Sequence, residues 1–338
     1  MTNKTETEIK FLRIQDKING IKLTSNSPPA GFDMATNGCE NIGSMINIQT
    51  SSSCQLACKG CRGSFDQEFL KKASHNSFMS DSVFELIADK CVRSGIRCIE
   101  LTPAIGDPFL DPGLISKIRY LNSLEKLDFI ILTTNLLKYN DNVFRELLEC
   151  NKLMMNISIY GADSASYQQE TGRDLFPQFM KNFKQFYELI RAHGVSGYVQ
   201  LTNRTKWLLR EEPFMPNTDL YYMLHLYNRQ NRVSIDCSEV FNVNRAGVVA
   251  RDDLAFARTD EPTRSGLCPH GPGQGGGILA NGDVLFCPFN DIYRTGVVGN
   301  IFKSTLTEIY NDTPFKQIVE NHEKGVYNGI CAQCNESW

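Results

Sequence analysis

Cys54, Cys58 and Cys61 form a C-x3-C-x2-C run directly after the apolar stretch Met45–Ile48. Cys268, Cys287, Cys331 and Cys334 form a second set near the C-terminus, and the two sets account for seven of the twelve cysteines. Thiolates are soft ligands that suit iron–sulfur clusters. Three from one short loop can hold three corners of a cubane and leave one iron without a protein ligand. Four can close a cluster completely. An open iron and a closed cluster in one chain imply radical chemistry driven by single electrons. A structural zinc site in the early loop would want a fourth ligand, and the nearest histidine is His75.

The later set is more ambiguous. A C-x2-C pair plus two distant cysteines is a common four-coordinate metal arrangement, and its spacing suits zinc as well as a cluster. Gly271 to Gly277 is glycine-dense but lacks the Gly-Lys-Ser/Thr ending of a phosphate loop, so it reads as a flexible approach to a hairpin. The scattered Cys39, Cys91, Cys98, Cys150 and Cys237 read as small buried apolar residues.

The elements that must position these cysteines alternate. Met45–Gln49, Cys98–Leu101, Phe129–Thr133, Met154–Tyr160, Ser196–Thr202 and Val233–Ser238 read as strands. Between them, Ser82-x-x-Glu85 reads as a capping box. It opens a helix whose Phe84, Ile87, Ala88 and Cys91 recur at helical spacing, with Gly95 as its stop. Phe176 to Ala192 is a long helix closed by Gly194. Strands separated by helices predict βα units and a parallel sheet. About six fit between residues 44 and 245, which predicts a partial (β/α)6 barrel of the TIM type, open on one side. Residues 1–43 read as an N-terminal extension and 246–338 as a small cysteine-rich domain. In that domain Leu279 to Val284 is a hairpin with an Asn281-Gly282 turn, and Thr305-x-x-Glu308 caps a helix.

Composition narrows the classes. A hydrophobic content of 41% and a charged content of 22% are ordinary for a globular protein, and a net charge of −3 with scattered Lys and Arg argues against nucleic acid. No signal peptide is visible, and no run reaches the roughly 20 apolar residues of a membrane span. A cytoplasmic location is expected, where cysteines serve metals rather than disulfides.

A C-x3-C-x2-C loop after the first strand of a partial barrel resembles the radical S-adenosylmethionine superfamily, over roughly residues 44–334. The resemblance implies that the open iron binds the amino and carboxylate groups of S-adenosylmethionine. A 5′-deoxyadenosyl radical then takes hydrogen from the substrate. A flavodoxin- or ferredoxin-like donor supplies the electron. Gly106-Asp107-Pro108 resembles the segment that holds the methionine amino group, with Asp107 where the family has Glu and Ile105 where it has Gly. Asn135 ends a Thr133-Thr134-Asn135 run similar to the family's T-N-G. Ser158 to Asp163, with Tyr160, resembles its ribose-contacting strand, and Thr171-Gly172 the segment after it. The family's aromatic residue before the third cysteine is Gly60 here.

The late set resembles the SPASM and twitch auxiliary-cluster domains, with C-x9–15-G-x4-C opening at Cys268 and closing at Cys287. Gly299-Asn300-Ile301 through Phe315 is similar to the helix of those domains, and Asn244 to Gly247 to the turn before it. Four cysteines suit the shorter twitch form with one 4Fe-4S cluster, making two per chain. That implies oxidation of a sugar- or cyclitol-like alcohol, with an electron passed to the auxiliary cluster. Glu239 and Asp236 are candidate bases and Cys237 a candidate hydrogen donor, at the end of the sixth strand. The alternatives are maturation of a ribosomally made peptide, by crosslinking or epimerisation, and a non-enzymatic zinc-binding interaction protein. Residues 1–43 are too short for a whole leader-binding domain, which weakens the peptide reading.

Overall fold

The computed structural model describes residues 45–59, 61, 78–102, 104–204, 218–236, 263–268, 271, 276–291 and 293–334. Strands and helices alternate from the start: β1 (Met45–Ile48), α1 (Asp81–Arg93), β2 (Cys98–Glu100), α2 (Leu114–Ser123), β3 (Phe129–Thr134), α3 (Asp141–Glu149) and β4 (Leu153–Ile159). Then come α4 (Ser164–Thr171), α5 (Phe176–His193), β5 (Tyr198–Asn203), α6 (Thr218–Tyr227) and β6 (Val233–Asp236). The six strands pair in parallel, in sequence order. This is the mixed α/β partial barrel expected.

Each strand sends alternate residues to opposite faces. Ile46, Ile99, Leu132, Ile157 and Leu201 join the main core that packs against the helices. Met45, Cys98 and Ile131 form a separate small cluster on the inner face. The helix side is densely aromatic: Phe179, Phe183 and Phe186 of α5 are fully buried, and Phe183 stacks on Tyr227 of α6 at 4.5 Å. Burying each such ring contributes about 1.5–3 kcal/mol. Cys91, Cys98 and Cys150 are buried, as expected of small apolar residues; Cys39 and Cys237 lie outside the described residues.

Two local expectations are corrected. The cap of α1 is Ser80, whose hydroxyl accepts from Val83 N–H, so the helix starts a residue before the proposed box at Ser82. The fifth strand starts at Tyr198, not Ser196. Ser196 N–H donates to Leu148 O, and at Gly197 a Cβ would lie 2.1 Å from Leu153 O, which keeps this stretch a turn.

The C-terminal hairpin continues the barrel sheet. β7 (Gly277–Ile278) pairs in parallel with β1; β8 (Asp283–Leu285) and β9 (Val297–Asn300) follow antiparallel. Asn281-Gly282 is the turn, with Gly282 at φ +82°. Helices α7 (Leu306–Asn311) and α8 (Thr313–Glu323) complete the unit, and the Thr305/Glu308 capping box forms as predicted. The β1 edge of the barrel sheet therefore carries the hairpin.

Lys117 of α2 is buried with Asp111. Both side chains are 1% exposed and lie 3.1 Å apart, and a second bridge of 3.1 Å reaches Asp81 of α1. Removing one partner of a buried pair strands the other charge. Lys117→Ala should lower stability by about 3–5 kcal/mol, measured as a fall in the urea midpoint.

Candidate active site

The early cysteines leave the carboxyl end of β1, the end at which a barrel of parallel strands presents its loops. Ala57 N–H donates to Thr171 O and Lys59 N–H to Glu170 O, so the end of α4 holds the loop. Gly172 passes 3.0 Å under Ala57 O, as measured from where a Cβ would stand, at φ +68°. Cys54 Sγ accepts from Leu56 N–H at 3.4 Å and from Asn135 Nδ2 at 3.7 Å. Burial, then the neighbouring Cys61 and Cys54, push the Cys58 thiol well above its ordinary value. Cys58 cannot ionise beside Cys54 and Cys61 without a compensating positive charge, which a metal body supplies. That donor set fits an iron–sulfur cluster.

Asp107 organises the rim beside this loop. It caps the short 3₁₀ turn Pro108–Leu110 through Phe109 N–H at 3.0 Å. Its other oxygen accepts from Thr134 Oγ at 2.9 Å and from Asn135 N–H at 2.8 Å, and its own N–H donates to Ser53 O. At 2% exposure the carboxylate is spent on the turns after β2 and β3, while the Asp107 N–H reaches the turn after β1. Burial raises its pKa against these donors. The cap role is therefore built in at Asp107, next to Gly106 and Pro108. Asn135 is brought to the cysteine loop, where its amide also donates to Gln55 Oε1 at 3.2 Å. Ser158 is buried near the end of β4, and Tyr160 follows the strand. The Tyr160 hydroxyl is pushed far up by burial and then by nearby Cys58; Arg204 opposes the shift. Glu239 and Cys237 lie outside the described residues, and Asp236 ends β6.

The late cysteines converge as well. Burial pushes the Cys287 and Cys331 thiols up to about 12, with Cys268 and Cys334 adding to both. Sequence reasoning missed their supports. Asn290 donates its N–H to Cys287 Sγ at 3.4 Å and Nδ2 to Cys334 Sγ at 3.5 Å. Arg264 spans Cys331 O at 2.6 Å and Cys334 O at 2.8 Å, and His322 Nδ1 accepts from Cys268 N–H at 3.4 Å. No described cysteine is in a disulfide. Among the described residues no three Cys, His, Asp or Glu side chains are gathered around one ion.

Glu100, on the inner face of β2, was also missed. A charged residue inside the apolar run Cys98–Leu101 was the available signal. Burial raises its pKa to about 7, opposed by Thr102, Asn47 and Arg204. A carboxyl whose folded pKa lies above its unfolded value of 4.5 stabilises the fold fully below that lower value. The contribution is lost as pH rises through about 7. Glu100→Gln should therefore flatten a loss of roughly 3 kcal/mol between pH 4.5 and 8, read from urea midpoints across that range.

The Radical SAM superfamily model matches residues 48–210, and the model of the SPASM iron–sulfur cluster-binding domain matches 268–335. GTP 3′,8-cyclase of Peptoclostridium acidaminophilum is 26% identical over 140 residues, which is 41% of each chain. This chain thus spans well under half the length of that curated relative. Two crystal structures share the fold. BtrN in complex with AdoMet and 2-DOIA has a TM-score of 0.51 at 15% identity, over 87% of this chain and 93% of BtrN. Native anSMEcpe with bound AdoMet and Kp18Cys peptide has a TM-score of 0.51 at 17% identity, over 82% and 83%. Among the described residues no helix is long and apolar enough to cross a membrane. With one model over the early cysteines and another over the late ones, the chain belongs to the radical S-adenosylmethionine superfamily, with a C-terminal iron–sulfur domain of the SPASM type, and its cofactors are 4Fe–4S clusters and S-adenosylmethionine.

Proposed function

We propose that this enzyme oxidises a small sugar- or cyclitol-like alcohol. In this reading Cys54, Cys58 and Cys61 hold the cluster that leaves one iron for S-adenosylmethionine, and Cys268, Cys287, Cys331 and Cys334 hold an auxiliary one. The observation that carries it is that the four late cysteines are neighbours, with Asn290 donating to the Cys287 and Cys334 sulfurs. Full thiolate ligation leaves that site no open corner, so it suits electron exchange rather than substrate binding. The likeness to BtrN with 2-DOIA agrees with a small polar substrate.

When bound, the early cluster and S-adenosylmethionine supply a carbon radical that removes a hydrogen atom from the substrate. The chain's own groups hold the geometry. Asp107 ties the three loop turns together, Asn135 donates to Cys54 of the cysteine loop, and Asn290 donates to the late thiols. Oxidation of an alcohol also releases a proton, which needs an acceptor. Glu239 and Asp236 are the candidates carried from the sequence, and Cys237 is the hydrogen donor required if the chemistry is epimerisation. The electron donor is a flavodoxin- or ferredoxin-like protein. A second reading, maturation of a peptide, draws on the likeness to anSMEcpe with its bound peptide.

Anaerobically reconstituted enzyme should carry ~8 iron per chain, four for each cubane. Replacing Cys54, Cys58 and Cys61 by Ala should halve the iron and abolish 5′-deoxyadenosine; deoxyadenosine that survives the change overturns the assignment. Replacing the four late cysteines should spare deoxyadenosine formation and abolish the product lacking two hydrogens, followed by mass spectrometry. A modified peptide in place of an oxidised alcohol would select the second reading. Hydrogen bonds to cluster sulfur raise the reduction potential. Asn290→Leu should accordingly lower the midpoint of the auxiliary cluster at unchanged iron content, measured by EPR-monitored titration.

A further inference from the structure

The segment that leads into Cys268 and the segment that carries Cys331 and Cys334 are joined by side-chain contacts centred on Arg264. One guanidinium nitrogen donates to Cys331 O at 2.6 Å and the other to Cys334 O at 2.8 Å. The same guanidinium lies over the Tyr327 ring at 5.1 Å, and the Tyr327 hydroxyl donates to Gly266 O at 3.4 Å. Cys268 N–H donates to Nδ1 of His322, near the end of α8, so the two segments are tied again one step further along.

The turn that Arg264 grips is short and lies outward. Ala332 and Gln333 are exposed, and the 3₁₀ turn Gly329–Cys331 carries no side-chain cap. Its main-chain bonds run within the turn itself, from Cys331 N–H to Asn328 O and from Cys334 N–H to Cys331 O. Arg264 reaches it from 67 and 70 residues away. A guanidinium presents its donors in a rigid planar fork. Two ligand residues held by one fork are therefore fixed at one spacing.

The fork also delivers a permanent positive charge. Four thiolates around an iron–sulfur body leave a net negative charge, and reduction adds to it. Net charge is one of the levers that set the potential of such a cluster. Arg264 already acts on these thiols: burial and the other three late cysteines push Cys331 up, and Arg264 opposes them. The guanidinium is half-buried, so solvent and salt screen it less than they screen a surface charge. The chemistry above leaves this charge unused.

We propose that Arg264 is a positioning residue for the auxiliary cluster: its fork sets the Cys331–Cys334 turn, and its charge favours the reduced state, so that the site takes up the electron released when the alcohol is oxidised. This rests on the reading of the four late cysteines as ligands of one cluster, and it names what holds and tunes that site. Asn290 acts on the sulfurs directly. Arg264 acts through the ligand main chain and through its charge.

The test is an EPR-monitored redox titration of the full chain with both clusters reconstituted, with the rate of iron loss to a chelator followed alongside. Arg264→Gln removes the charge, and Arg264→Lys keeps it while losing the fork. Arg264→Gln should lower the auxiliary midpoint by about 59 mV, a tenfold change in a one-electron equilibrium, and leave the early cluster's midpoint in place. Arg264→Lys should stay near the native midpoint. Both variants should release the late iron faster than the native chain. Should Arg264→Gln fail to keep the late iron while Arg264→Lys keeps it, the need for the charge stands. A midpoint unmoved by Arg264→Gln, one lowered equally by both variants, native rates of iron release in both, or late iron lost from both overturns the proposal. The underlying reading fails differently. A native chain with only about four iron, or with zinc at the late cysteines, removes the auxiliary cluster whatever Arg264 does.

Discussion

Strand β1 is held on both sides, by β2 and by β7, and both cysteine sets depend on that pairing. Its carboxyl end launches the early cysteine loop. Its ladder to β7, through Asn47 N–H to Gly276 O and Gln49 N–H to Ile278 O, anchors the hairpin that carries the late set. The hairpin turn at Asn281-Gly282 lies at the carboxyl end of β7. Cys268 precedes β7 and Cys287 follows β8, so both lie toward the opposite end. The two sets thus lie toward opposite ends of the β1–β7 ladder. Gln49 to Pro288 O and Lys90 Nζ to Ile301 O, at 2.6 Å, brace the same junction. One run of main-chain hydrogen bonds sets the relation between the two cysteine sets.

The barrel divides its two faces by polarity. The helix side is apolar and aromatic, and supplies most of the burial that stabilises the fold. The inner side trades stability for chemistry. Asp107 is desolvated but compensated by three donors, and the result is a rim whose turns cannot shift independently. Leu136, just beyond, adopts φ +61° while fully buried, and its carbonyl accepts from Asn182 Nδ2 at 2.7 Å. A non-glycine residue in that conformation persists because the surrounding contacts over-determine it. Both features lie beside the cysteine loop, where a fixed geometry serves chemistry.

Much of this was legible in the residues. The C-x3-C-x2-C loop, the strand–helix alternation, the Thr305 box and the Asn-Gly hairpin are local patterns, each within a dozen or so residues, and each stands as read. The boundary errors are equally local. Ser80 and Ser82 are both plausible caps, and packing selected the first. Ser196 is β-compatible, yet Gly197 is pressed against Leu153 O. Asp107 was legible as a ligand group, but its hold on Thr134 and Asn135, 27 and 28 residues on, was not.

Spacing singled out the early cysteine loop as a metal-ligand pattern, because its three cysteines lie within eight residues, whereas for the late set it left zinc and a cluster both open. Pairing of β7 with β1, the Asn290 hydrogen bonds to the late thiols, the Arg264 contacts to Cys331 O and Cys334 O, and the burial of Glu100 emerged from the fold. Most join positions tens to hundreds of residues apart. Strand register and burial create those neighbourhoods, and no local period in the chain encodes them.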